Sequence, residues 1–184
     1  LRLSDVEISK AHLITSGANN SASIQLERAN ISQTNITEGG CSVPFAFYDS
    51  KIDQATIYAA SSSSAFREMR IDATTVIDST FYVGSCGSAL YVTNSVLKDS
   101  KITQSANNSS YTTVNRSVLI DTVYDYNGKA LYFSLLNSVM QFSGSFGIKS
   151  NQTQISNSTI IGNADSQAVF LNRDYGNAFN SAGV

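Results

Sequence analysis

Asn94-Ser95-Val96-Leu97-Lys98-Asp99-Ser100-Lys101-Ile102-Thr103 carries two apolar positions separated by polar residues and one small residue. Near-copies recur along the chain. Ile8 pairs with Leu13, Ile31 with Ile36, Ile52 with Ile57, Val76 with Phe81, Val118 with Val123 and Ile155 with Ile160, with a blurred copy near Val139. The spacing is about 21 residues, a period that belongs to solenoids, propellers and arrays. Taking Val96 and Ile102 as the pair in the quoted copy stretches its step from five residues to six.

The segments between these motifs are also repeated. Ala22-Ser23-Ile24-Gln25-Leu26, Pro44-Phe45-Ala46-Phe47, Ala89-Leu90-Tyr91-Val92, Ala130-Leu131-Tyr132-Phe133 and Ala168-Val169-Phe170-Leu171 are short and mostly alternating, and most follow Gly/Ser/Asn turns. Short runs of period two read as strands, and no stretch sustains a helical period. A single coil of this kind cannot bury its apolar side. About eight coils stacked ~4.8 Å apart would pair every strand in a body ~35–40 Å long. Small residues two before the second apolar residue (Ala11, Thr34, Ala55, Ser79, Ser100, Ser158) mark a tight inner corner, and Asp121 breaks that row. The reading places the solenoid at 1–171 and a Gly/Asn/Ala-rich tail at 172–184, which would cover the open edge of the last coil.

The units Ala29-Asn30-Ile31-Ser32-Gln33-Thr34-Asn35-Ile36-Thr37-Glu38 and Arg70-Ile71-Asp72-Ala73-Thr74-Thr75-Val76-Ile77-Asp78-Ser79-Thr80-Phe81 step by five and locally resemble pentapeptide-repeat proteins. Over nearly its whole length the chain is similar to right-handed parallel β-helix proteins of the pectin-lyase-like and phage-tailspike kinds. That resemblance implies an all-β, right-handed parallel β-helix. It also implies either polysaccharide cleavage or extracellular attachment as the function. No position matches a distinctive catalytic motif of those proteins.

Composition narrows the classes. The chain has 184 residues, 42% apolar and only 14% charged, with a net charge of -2. There is no basic footprint for nucleic acid, and no apolar run approaches a membrane span. Weak charge with many Ser, Thr, Asn and Gln suits the outside of a cell or particle. His12 is the sole histidine, and there is no G-x-S-x-G, Walker loop or zinc spacing, so neither cofactor nor metal is expected. Cys41 and Cys86 fall about two coils apart, ~10 Å, beyond the ~7 Å a disulfide spans, and are expected as free thiols.

Three sets of residues could carry function. Ile77, Leu97, Leu119 and Met140, one place after the first ladder residue, are expected as an outward apolar stripe and subunit interface, as in trimeric β-helix fibres. Tyr58, Tyr82 and Tyr124 fall in an outward row, where aromatic faces suit sugar rings. Asp99 and Asp121 sit at neighbouring corners with Asp78 one coil further. Carboxylates ~5 Å apart would suit retaining glycoside hydrolysis, although corner Asp more often accepts bonds from turn amides. The combined expectation is a noncatalytic extracellular or virion-surface module, a trimeric adhesin or receptor-binding fibre segment that recognises a cell-surface glycan. The alternatives are a polysaccharide lyase or hydrolase, or a structural spacer.

Overall fold

Each coil lays one strand on each of three faces, and every cross-coil pairing among the described residues is parallel. The computed structural model describes residues 1–15, 23–38, 44–60, 66–85, 87–144, 146–150, 152–162, 168–172 and 180–182. Cys41 and Cys86 lie outside these residues. The first face begins with Arg2–Ser4 and continues through Ile24–Glu27, Phe45–Tyr48, Phe66–Asp72 and Gly87–Thr93. The second face is an 8-stranded sheet running from Glu7–Ser9 to Thr159–Gly162. The third face starts with His12–Thr15 and includes Asn35–Glu38, Thr56–Ala60 and Thr80–Ser85. Two long strands, Lys101–Asn115 and Val123–Leu136, run on from the third face to the first, so these two faces join as one 13-stranded sheet.

The protein is thus an all-β parallel β-solenoid with a period of ~21 residues and about 6 turns, not the eight expected. Among the described residues the second face carries eight rungs and the third six, while Phe146–Ser150 and Ala168–Asn172 pair as a separate 2-stranded sheet, so fewer coils close through all three faces. At the far end Asn180–Ala182 pairs in parallel with Gln152–Ser156 and extends the first face by one rung.

Two corners per coil make the winding possible. Residues there adopt left-handed backbone, with φ between 45° at Asp78 and 55° at Asp5. One row includes Asp49, Ala73, Asn94, Arg116 and Asn137, and the other includes Gln33, Gln54, Asp78, Asp99 and Asp121. Asp and Asn accept this conformation more readily than other side chains, which explains their density in the sequence. Each corner amide reaches the next coil: Asn94 N donates to Asn115 O at 3.1 Å and Asp99 N to Ile120 O at 3.0 Å.

From the second coil to the seventh a small buried residue follows each corner, and the Ser and Thr among them stack into two hydroxyl ladders. In the first, Ser50, Thr74, Ser95, Ser117 and Ser138 are all buried. The amide of Thr74 donates to Ser95 Oγ at 3.0 Å, that of Ser95 to Ser117 Oγ at 3.1 Å and that of Ser117 to Ser138 Oγ at 3.1 Å. Each hydroxyl donates back to the carbonyl two residues before it, as Ser95 does to Thr93 O at 2.6 Å. The second ladder repeats this with Ser79 and Ser100, since Ala55 N donates to Ser79 Oγ at 3.0 Å and Ser79 N to Ser100 Oγ at 3.2 Å. Both ladders satisfy backbone groups that a bend inside a core would otherwise orphan.

These ladders set the core register and correct the expected apolar stripe. Two residues after each small residue a side chain turns inward, giving the stack Ile31, Ile52, Val76, Leu97, Leu119 and Met140. Leu97, Leu119 and Met140 are therefore core residues with at most 4% exposure. Ile77 alone of the expected stripe faces outward, in register with Lys98 and Ile120. The step from Leu97 to Ile102 is five, like the others, and the apparent stretch to six came from starting at Val96. One place of slip moves a residue to the opposite face of the sheet. The same slip explains Asp121: Thr122 holds the buried inner place and Asp121 the left-handed corner before it.

One buried polar cluster interrupts the aliphatic core where the long strands turn from the third face to the first. Gln104 Nε2 donates to Ser88 Oγ at 2.9 Å, and Ser88 and Ser110 share a bond of 2.9 Å. The Thr112 hydroxyl and the Tyr124 phenol both bond Gln104 Oε1 and lie 2.6 Å from each other. At the first coil, exposed Arg28 bonds Asp5 at 2.6 and 2.8 Å and also pairs with Glu27, which Arg2 bonds as well. These bonds hold the Asp5 and Glu27 carboxyls below their usual range. Exposed pairs of this kind add little stability.

Candidate functional site

Strand alternation puts every second residue of the third face in solvent. One outward row reads His12, Asn35, Thr56, Thr80, Lys101 and Val123. The next reads Ile14, Thr37, Tyr58, Tyr82, Thr103 and Asp125. Tyr58 and Tyr82 are therefore neighbours on successive coils. Their ring centroids lie 5.5 Å apart with planes at 46°, so the tilt leaves ring surface uncovered, and Tyr58 is 44% exposed.

Around this pair the surface is polar and nearly uncharged. Thr37, Thr56, Thr80 and Asn35 offer hydroxyls and an amide beside the rings. Lys101 and Asp125 lie 3.8 Å apart at one end and offset each other's charge. Thr103, next to Tyr82, has a buried hydroxyl with no hydrogen-bond partner among the described residues. His12 Nε2 lies 3.3 Å from Thr37 Oγ1 at the other end.

Tyr124 is not part of this platform. It takes the inward position after Ile102, where burial pushes its phenol above the usual range and the bond to Thr112 pulls the other way by less. Its ring packs on Phe133 at 5.7 Å. The slip that displaced Leu119 had moved Tyr124 outward in the sequence reading.

The acidic residues are corner residues. Asp121 Oδ1 accepts from Ser143 N at 2.6 Å and Ser143 Oγ at 2.7 Å, tying its coil to the next. Asp99 lies 3.7 Å from Lys98 Nζ in solvent. Asp78, Asp99 and Asp121 do occupy equivalent places on successive coils, but Asp121 serves the turn above it. No group of three or more His, Cys, Asp or Glu among the described residues could hold a metal.

Sequence reasoning missed a second aromatic surface on the first face. Tyr111 and Tyr132 stack at 5.1 Å and 13°, with 44% and 37% exposure. Arg70 lies over the Tyr91 ring at 4.7 Å. The alternation of Tyr111 with buried Thr112 was the available signal. Near-parallel rings cover one face of each other and leave the two outer faces, whereas in the tilted Tyr58–Tyr82 pair the rings splay apart beside a row of Thr and Asn side chains. Comparison with protein-family models, with curated proteins and with solved structures gives no match, so the fold rests on strand register and the function on this surface.

Proposed function

We propose that the protein is a noncatalytic attachment module of the cell or particle exterior, a right-handed β-helix of the tailspike or pectin-lyase-like kind that binds a neutral glycan on its third face. Right-handed winding follows the strong preference of parallel crossover connections. The Tyr58–Tyr82 pair is the observation that carries the reading. Sugar rings present C–H faces that stack on tyrosine, and the neighbouring Thr and Asn side chains supply hydrogen bonds to ring hydroxyls. The paired Lys101 and Asp125 leave no net charge to select an acidic polymer.

A glycan array tests this reading. Wild-type protein is expected to bind neutral glycans, and the Tyr58→Ala/Tyr82→Ala protein to lose that binding. Absence of binding to every glycan at high protein concentration would leave a structural spacer as the function. Release of reducing ends from a bound polysaccharide, abolished by Asp121→Asn, would make the protein an enzyme instead.

A further inference from the structure

The outward side of the second face changes character along the solenoid. In its first three coils it carries Glu7, Asn30 and Lys51 in one row and Ser9, Ser32 and Asp53 in the other. From the fourth coil onward one row reads Thr75, Val96, Val118, Val139 and Thr159 and the other Ile77, Lys98, Ile120, Gln141 and Ile161, so the face turns mostly apolar. Val96 is 38% exposed and Ile161 44%. Parallel sheets are ordinarily covered on both faces, and a contiguous outward apolar patch marks an interaction surface. This patch shares Ile77 with the stripe that the sequence suggested, and its valines lie one residue before the other members, Leu97, Leu119 and Met140.

We propose that a second copy of this chain covers the face, side by side, with its solenoid axis parallel and each coil against the same coil. A two-fold axis along the stack exchanges the two outward rows. Val118 then meets Ile120 of the second copy, Ile77, Val139 and Ile161 come opposite Thr75, Gln141 and Thr159 with apolar neighbours on the adjacent coils, and Lys51 meets Asp53, two side chains that have no ion pair among the described residues. At the flanking corners Arg116 comes opposite Asp121, and Asn94 opposite Asp99. Lys98 falls against Val96, where its stem can lie along the apolar surface while its ammonium stays in water beside Asp99. No like charges meet. A two-fold across the stack through Val118–Ile120 matches valine with valine, but it also sets Arg116 against Arg116 and Asp121 against Asp121. Like-charge juxtaposition of that kind suppresses association. The charge pattern therefore selects the parallel arrangement.

Sedimentation velocity over a concentration series tests the proposal. Wild type is expected to show a concentration-dependent dimer, and Val118→Asp to remove it. Lys51→Glu, at an exposed site remote from the core, should weaken association about tenfold, and adding Asp53→Lys should restore it to within about threefold of wild type. A wild type that stays monomeric, a trimer in place of the dimer, or a double reversal as weak as Lys51→Glu alone overturns the arrangement.

Discussion

The backbone amide of Ser95 donates to the hydroxyl of Ser117 one coil further on, at 3.1 Å, and Ser117 Oγ donates to the carbonyl of Asn115 at 2.9 Å. This relay recurs from Ala29 to Ser158 and explains why Ser or Thr recurs at the place after each corner. Those hydroxyls are buried partners of bent backbone inside the body.

Ser117→Ala strands the Ser95 amide without an acceptor. An unsatisfied buried amide costs about 1–3 kcal/mol, and urea unfolding should show a loss of that size. Ser117→Thr keeps the oxygen, as Thr74 does at the equivalent place, and should cost less. Equal losses for the two variants would show that the hydroxyl is not the operative group.

Core register is open to a paired measurement. Leu119 is buried and its neighbour Val118 half-buried on the outward side. Leu119→Ala should destabilise by about 2–5 kcal/mol, whereas Val118→Ala should stay within about 1 kcal/mol. Reversal of that order would restore the outward stripe read from the sequence.

The left-handed corners respond to side-chain shape. Ala73 sits at φ 49° and Asn94 at φ 51°. Ala73→Gly removes a strain of about 1–2 kcal/mol while losing about 0.4–1 kcal/mol through greater freedom of the unfolded chain, so thermal unfolding should show a small net gain. Asn94→Val should destabilise, because a β-branched residue is a poor occupant of this region.

Tyr124 gives the fold a dependence on alkaline pH. Its phenol is held above the ordinary tyrosine value by burial, so above pH ~10 the unfolded state ionises first and binds fewer protons than the folded state. Stability then falls as pH rises, by up to ~1.4 kcal/mol per pH unit from this group. Tyr124→Phe should be less stable near neutrality by about 1–2 kcal/mol, through loss of the bond to Gln104. It should also lack this part of the alkaline decline. Parallel stability profiles for wild type and variant above pH ~10 would contradict the buried placement.

The strand faces, the period and the second to fourth coils were legible because Ile31, Ile52 and Val76 each have polar neighbours on both sides or a clear preceding small residue. From the fifth coil onward two apolar residues are adjacent, Val96-Leu97 and Val118-Leu119, and periodicity alone cannot say which turns inward. The deciding signal is the small residue two before each inward side chain: Ser95 before Leu97, Ser117 before Leu119, Ser138 before Met140. Applied only to the second apolar residue of each motif, that rule left the register one place out and carried Tyr124 and Asp121 with it. Tyr58 and Tyr82 escaped because their coils were framed correctly. The Gln104 cluster was not legible, because it depends on two long strands bending between faces.

The most direct test of the attachment reading is affinity for a neutral glycan, measured by saturation-transfer NMR with wild type, Tyr58→Ala/Tyr82→Ala and, as a control on the other aromatic surface, Tyr111→Ala. Removal of both third-face rings should lower affinity at least about tenfold, while Tyr111→Ala stays close to wild type. Unchanged binding without Tyr58 and Tyr82, or loss of binding on removing Tyr111 alone, would contradict a third-face glycan site.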